Sequence, residues 1–226
     1  MQKLKVDLPE AYRYLGCRGE PDNAMRAELD RAAALVLDAA KPRFIEKHCH
    51  VLHGEAPVLS GASFSLTGRA AAALLRGSES CCIFCATLGA PIDLLIRQWE
   101  LRDMAFAATL DACASSAVES LCNSIEAVLR DECAEKGLFL TDRFSPGYED
   151  LPLGIQKAFC SDLDTARKIG VTVTESGLLL PRKSVTALIG IADKPQKSRE
   201  AGCRTCAAYH ACKFRENGVT CYGHIL

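Results

Sequence analysis

Arg143-Phe144-Ser145-Pro146-Gly147-Tyr148 is the stretch on which the reading of this chain turns. Pro146-Gly147 is a strong turn signal, because proline pre-sets its φ and glycine accepts a positive one. Such a turn leaves backbone N–H and C=O groups free for a ligand. Arg143 offers a planar fork of donors that fits a carboxylate or phosphate. Tyr148 adds an apolar ring with one hydroxyl, suited to covering a flat ligand. An arginine, an open backbone turn and an aromatic within six residues could bind a zwitterionic small molecule. A surface turn with a salt-bridged arginine is the plainer alternative, since turns far outnumber sites.

Working outward, 139–143 reads as a short strand that delivers the turn, 153–163 as a helix and 164–168 as a short turn. Residues 171–174 and 184–191 alternate as strands should. Upstream, 1–22 reads as a short strand and a loop. Asp22 is placed to cap a helix over 24–40, where Leu29, Ala33, Val36 and Leu37 recur at helical spacing. Then come a half-buried strand over 43–52, a short helix over 66–75 and an apolar strand over 80–88. A long helical region runs over 91–136, with a break expected near Asp103. In its second half Leu110, Ala114, Ala117, Leu121, Ile125 and Val128 mark one face. Glu119 and Glu126 lie off that stripe, as solvated helix charges would. This order of elements suits α+β and does not alone exclude α/β.

The chain has 226 residues, a formal net charge of -1, 49% hydrophobic and 24% charged residues. These values describe a globular protein able to bury a sizeable core. With aromatics at 6% and no basic run, nothing argues for nucleic acid as a partner. Met1-Gln-Lys-Leu-Lys-Val lacks the apolar core of a signal peptide. No apolar stretch approaches the roughly 18 residues a membrane span needs. A cytoplasmic location and no membrane partner are therefore expected.

Thirteen cysteines without a secretory signal argue against a disulfide framework. Most sit where alanine or valine would fit, and free cysteine packs as a small hydrophobe. Cys82-x-x-Cys85 invites a thioredoxin-type reading, but that motif needs its first cysteine at a helix start, and here the context is a strand. His48-x-His50 could place two imidazoles on one strand face, with exposed strand histidines as the bland alternative. After a polar linker over 193–202 comes Cys203-x2-Cys206-x5-Cys212-x8-Cys221. Four thiolates so close, with little apolar sequence to build a core, suggest a metal staple. Structural zinc and an iron–sulfur cluster both fit thiolate ligands; a disordered tail is the alternative. His210 and His224 are possible substitutes as ligands.

Arg143-Phe-Ser-Pro-Gly-Tyr148 resembles the Arg-x-x-x-Gly-Tyr motif of the activation (reactivation) domain of cobalamin-dependent methionine synthase. Val173-Thr174-Glu175-Ser176 is similar to that family's Leu-Thr-Glu-Ser segment, and Pro181-Arg-Lys-Ser184-Val185 to its Pro-x-x-Ser-Val strand. The match is good over 82–192. It implies an α+β fold: a twisted, mainly antiparallel sheet flanked by helices, over 1–192, with the cysteine-rich tail at 203–226. It also implies binding of S-adenosylmethionine, presented to a cobalamin held elsewhere for reductive methylation.

Carried over by resemblance, Arg143 would pair with the ligand carboxylate. The backbone of Ser145 and Gly147 would bond the ligand, and Tyr148 would line the cleft. Thr174, Glu175 and Ser176 match the second motif, with Glu175 near the ligand's positive charge, and Glu119 is the helix carboxylate that could face the cleft. Departures are Glu149-Asp150-Leu151 in place of Pro-Ala-Cys, and Gly177 where phenylalanine is common. No Asp-x-His-x-x-Gly corrinoid motif occurs, and the length leaves no room for homocysteine and folate modules. The expected partner is therefore a corrinoid-binding protein, or a methionine synthase lacking its activation domain, together with an electron donor. The cysteine tail would relay the electron. An iron–sulfur electron-transfer or scaffold protein on the same fold, without S-adenosylmethionine, is the competing expectation.

Overall fold

The structure is a computed structural model and describes residues 3–17, 19–54 and 56–196. Its centre is strand β3 (Ser78–Thr87), which pairs antiparallel with β1 (Arg43–Leu52) on one side and β7 (Ser184–Ala192) on the other. Short β2 (Val58–Leu59) and β4 (Phe139–Leu140) complete the order β2-β1-β3-β7-β4, and every pairing is antiparallel. This is the α+β architecture expected from the sequence.

Strand side chains alternate between faces, and both faces of β3 and β7 are covered. Cys82, Phe84, Ala86, Ala187 and Ile189 face one apolar core. Over it lie α2 (Asn23–Ala39), α4 (Ala90–Glu100) and the long α5 (Met104–Ala134). Cys81, Ile83, Cys85 and Leu188 face a second core beneath α3 (Arg69–Leu75) and α6 (Gln156–Leu163), where Phe64 stacks on Phe159 at 5.1 Å. Burial on both faces explains why β3 reads as one apolar run instead of an alternating one.

Local signals fix the ends. Asp22 accepts from Met25 N–H at 2.8 Å and caps α2. The break near Asp103 is real, and its carboxylate caps α5 by accepting from Phe106 N–H at 3.1 Å. Residues 164–168, read as a turn, instead overlap α7 (Thr165–Ile169).

The reading of 1–22 as strand and loop is corrected: the segment contains α1 (Leu8–Tyr14). Asp7 accepts from Glu10 N–H at 2.8 Å, and Pro9 sits in the first turn. Asp-x-x-Glu with an early proline is a helix-start signature that was present in the sequence. Ser116 of α5 accepts from Asp7 N–H at 2.8 Å and donates to Asp7 C=O at 3.1 Å, which docks α1 on α5.

Eight of the nine described cysteines are buried packing groups, and Cys17 is half-buried. An odd separation of three along the strand places Cys82 in one core and Cys85 in the other, so the Cys-x-x-Cys pair is split across the sheet. Burial pushes the Cys82 thiol up to about 12, which leaves it protonated. Cys85 is also raised, first by its hydrogen bond with Cys160 and then by burial. His48 and His50 are exposed on β1, and His48 Nε2 lies 3.9 Å from Glu46. Among the described residues no three His, Cys, Asp or Glu side chains are placed to hold a metal ion. Cys203, Cys206, Cys212 and Cys221 lie outside the described residues, and so do His210 and His224. Among the described residues no helix is long and apolar enough to cross a membrane.

Candidate functional site

The chain after β4 crosses onto β7 through reciprocal hydrogen bonds between Phe144 and Leu188, at 3.0 and 2.8 Å. Phe144 is buried beneath the sheet, which sends its neighbour Arg143 to the opposite side, toward α5. The turn then closes on itself: Tyr148 N–H donates to Ser145 C=O at 3.2 Å, and Gly147 N–H to Leu151 C=O at 2.9 Å. Gly147 has φ +89°, and a Cβ there would stand 3.3 Å from Leu153 Cδ1.

The departure at 149–151 has a structural reason. Helix α3 begins at Gly68, which has no capping side chain. Asp150 supplies the cap, accepting from Arg69 N–H at 2.7 Å and Ala70 N–H at 3.1 Å. Those two bonds hold its carboxyl below its usual range. Leu151 is buried in the second core.

Above this turn opens a cleft of about 1000 Å³. One wall is α5 with Glu119 and Glu126; another is the turn itself, with Arg143, Ser145 and Tyr148. Glu10, Arg13 and Tyr14 of α1 form a third, and the start of β7 from Ser184 to Thr186 lies across from them. Gln156 donates to Thr186 Oγ1 at 2.6 Å, so α6 and β7 are tied together at this margin. The volume suits a drug-sized or cofactor-sized ligand.

Of the residues expected in the site, Arg143, Ser145, Tyr148 and Glu119 come together here. Arg143 is 19% exposed, and its fork is occupied. It donates to Glu119 Oε2 at 2.9 Å and to Asn123 Oδ1 at 3.1 Å, and lies 3.5 Å from Glu126 Oε2. Burial raises the Glu119 carboxyl above its usual range, Arg143 opposes this, and nearby Glu10 adds to it.

Thr174, Glu175 and Ser176 do not line the cleft. They form the turn between β5 (Thr172–Val173) and β6 (Leu179–Leu180). Thr174 Oγ1 accepts from Leu178 N–H at 3.0 Å and shares a hydrogen bond with Ser176 Oγ at 2.9 Å. Glu175 is exposed. This turn presents Gly177, Leu178 and Leu179 to the cleft instead. A larger side chain at Gly177, at φ +86°, would be strained, and its Cβ would stand 3.0 Å from Leu153 Cγ, so that leucine would have to give way.

The third motif positions β7. Lys183 is buried; its Nζ pairs with Asp111 at 2.9 Å and donates to Ser115 Oγ at 2.8 Å, both on α5. Ser184 Oγ donates to Pro181 C=O at 2.6 Å and shares a hydroxyl–hydroxyl hydrogen bond with Thr87 Oγ1 at 2.8 Å.

Sequence reading missed the contribution of α1, and with it Glu10, Arg13 and Tyr14. It also missed that positions 119, 123 and 126 share one face of α5 at helical steps and would converge on a single cation.

The chain is similar in structure to the MetH reactivation domain, solved as a crystal structure bound to AdoHcy. The TM-score is 0.62 at 15% sequence identity, over 96% of this chain and 82% of that one. No family model matches the chain, and no curated protein matches it. The likeness is one of fold.

Proposed function

We propose that this chain binds S-adenosylmethionine in the cleft between α1, α5 and β7, and serves in trans in the reductive reactivation of a corrinoid protein. One observation carries the reading. Arg143, Ser145 and Tyr148, picked out by motif, and Glu119, picked out by the wider resemblance, line one cleft of about 1000 Å³ on a fold with a solved neighbour that holds AdoHcy. When bound, S-adenosylmethionine supplies an activated methyl group to the partner's reduced corrinoid and leaves as S-adenosylhomocysteine.

The chain's own contribution is positioning. The Arg143 fork matches a carboxylate, and the Tyr148 ring flanks the opening at 60% exposure. Leu153 and Leu178 line the same cleft and stand exposed. An apolar rim around a polar cleft suits a partner that closes over the ligand and excludes water. That partner is a corrinoid-binding protein or a methionine synthase lacking its own activation domain. A separate donor supplies the electron, relayed by iron–sulfur or, failing that, with zinc as a purely structural ion at Cys203, Cys206, Cys212 and Cys221.

A second reading has an observation in its favour. Arg143 is already ion-paired within the chain, as it would be in an electron-transfer or scaffold protein that has no use for S-adenosylmethionine. Calorimetric titration of S-adenosylmethionine into the anaerobically purified full chain separates the two. Saturable binding, weakened in Arg143→Ala by about 1.5–3 kcal/mol as for a charge-assisted hydrogen bond, supports the reactivation role. No binding by wild type favours the second reading.

A further inference from the structure

The Arg143 fork faces three side chains of α5 before any ligand arrives: Glu119, Asn123 and Glu126. The two carboxylates are not equivalent. Glu126 has a second cation on its own helix, Arg130 at 2.6 Å. Among the described residues Glu119 has Arg143 as its one salt-bridge partner. It is also close enough to Glu10 of α1 to feel its charge. A carboxylate entering the cleft to meet Arg143 therefore makes a third anion around that guanidinium. The cleft lining already carries four carboxylates, Glu10, Glu119, Glu126 and Asp142, against three arginines, Arg13, Arg143 and Arg182, so an entering carboxylate adds to an existing negative excess. In a partly desolvated cleft such an excess is costly unless another positive charge arrives or one carboxyl takes up a proton.

We propose that Glu119 exchanges Arg143 for a positive centre carried by the ligand, and so restricts the cleft to molecules with a carboxylate and a cation side by side. The inference rests on the reading that S-adenosylmethionine is the ligand. Its ammonium and its sulfonium both supply the required chemistry. An adenosine ligand with an anion and no cation, such as adenosine 5′-monophosphate, would fit the Arg143 fork equally well and is rejected by Glu119. Specificity of this kind works by repulsion of the wrong ligand as much as by attraction of the right one.

The test is calorimetric titration of S-adenosylmethionine, S-adenosylhomocysteine and adenosine 5′-monophosphate into the full chain and into Glu119→Gln. Glutamine keeps the shape and still accepts a hydrogen bond from Arg143, so a purely structural role predicts little change. The expected result is a loss of about tenfold or more on S-adenosylmethionine, the size of one lost charge-assisted bond. Binding of the monophosphate is expected to tighten in the same variant, which a structural role would not produce. Loss on S-adenosylmethionine alone assigns the positive centre to the sulfonium. Equal loss on S-adenosylhomocysteine assigns it to the ammonium. Unchanged or tighter S-adenosylmethionine binding by Glu119→Gln overturns the exchange while leaving the ligand reading intact. Failure of wild type to bind either adenosyl ligand removes the ligand reading itself, and the exchange with it. Glu119→Asp keeps the charge and is expected to keep the rejection of monophosphate at reduced affinity. It carries the test if the glutamine variant does not fold, and loss of that rejection in it overturns the proposal.

Discussion

Two turns border the cleft, and both carry a motif of equal apparent strength in the sequence. The turn at 143–148 sends charged and aromatic side chains into the cleft and satisfies its backbone through Ser145 C=O and Leu151 C=O. The turn at 174–177 does the reverse. Its hydroxyls close the turn, its carboxylate is exposed, and what reaches the cleft is Gly177, Leu178 and Leu179. A motif therefore fixes where a turn lies more firmly than it fixes which atoms of that turn meet a ligand. Backbone closure by Thr and Ser hydroxyls is a common local alternative to outward bonding.

The largest expected effect that sharpens this contrast is on Arg143. Arg143→Ala should weaken S-adenosylmethionine by about tenfold or more. No substitution confined to Thr174, Glu175 or Ser176 should approach that unless it unfolds the turn. Equal losses from the two turns, measured by the same titration, would erase the distinction drawn between them.

Gly177→Ala comes next. The φ of +86° and the 3.0 Å approach to Leu153 Cγ place this substitution among strained left-handed positions, at about 1–3 kcal/mol. The loss should appear in denaturant unfolding of the free protein, because it needs no ligand. Gly147 shares the conformation but meets only the Cδ1 end of the same leucine, at 3.3 Å. A stability loss at Gly147→Ala larger than at Gly177→Ala would show that the first turn, not the second, is the tighter of the pair.

What the sequence made legible follows the same division. Strand β1 spans the residues expected, and the break at Asp103 was visible because an N-cap aspartate before an amphipathic run is a local signal. Helix α1 was missed although Asp7, Pro9 and Glu10 spell a helix start, because seven residues leave too little periodicity to outweigh their flanks. The Arg143 pairing was invisible for a different reason. Glu119 was legible as a helix carboxylate that could face the cleft, and Glu126 only as a charge off an apolar stripe. That a cation from a loop twenty-four positions away would sit between them is a tertiary fact. Cys82 and Cys85, by contrast, lie on a strand as the local pattern predicts, and they face opposite cores.

The residues just beyond the first turn supply a smaller test. Asp150 has a folded pKa below its unfolded value, so it contributes stability that is present above the unfolded value and lost as pH falls through the folded one. The window lies at and below the ordinary aspartate value of about 3.9. Asp150→Ala should cost about 1 kcal/mol at neutral pH, the usual value of a cap. It should also flatten the acid limb of stability in that window. Denaturant midpoints at a series of pH values measure both. An acid limb unchanged in the variant would mean that the bonds to Arg69 and Ala70 N–H do little for the charged form.

The smallest effect belongs to Glu175, and it is the most discriminating for the comparison. By motif it stands beside the ligand's positive charge; by position it is exposed at the tip of a turn whose neighbours bond to each other. Glu175→Gln removes the charge and keeps the shape. With the carboxylate facing solvent, long-range attraction is screened within a Debye length of about 8 Å at physiological salt. The expected change in S-adenosylmethionine affinity is then less than about twofold, shrinking further as salt is raised. A tenfold loss that persists at high salt would mean that the β5–β6 turn swings inward when ligand binds and brings Glu175 into direct contact. In that case the two turns would differ only in the free protein, and a ligand would make them alike.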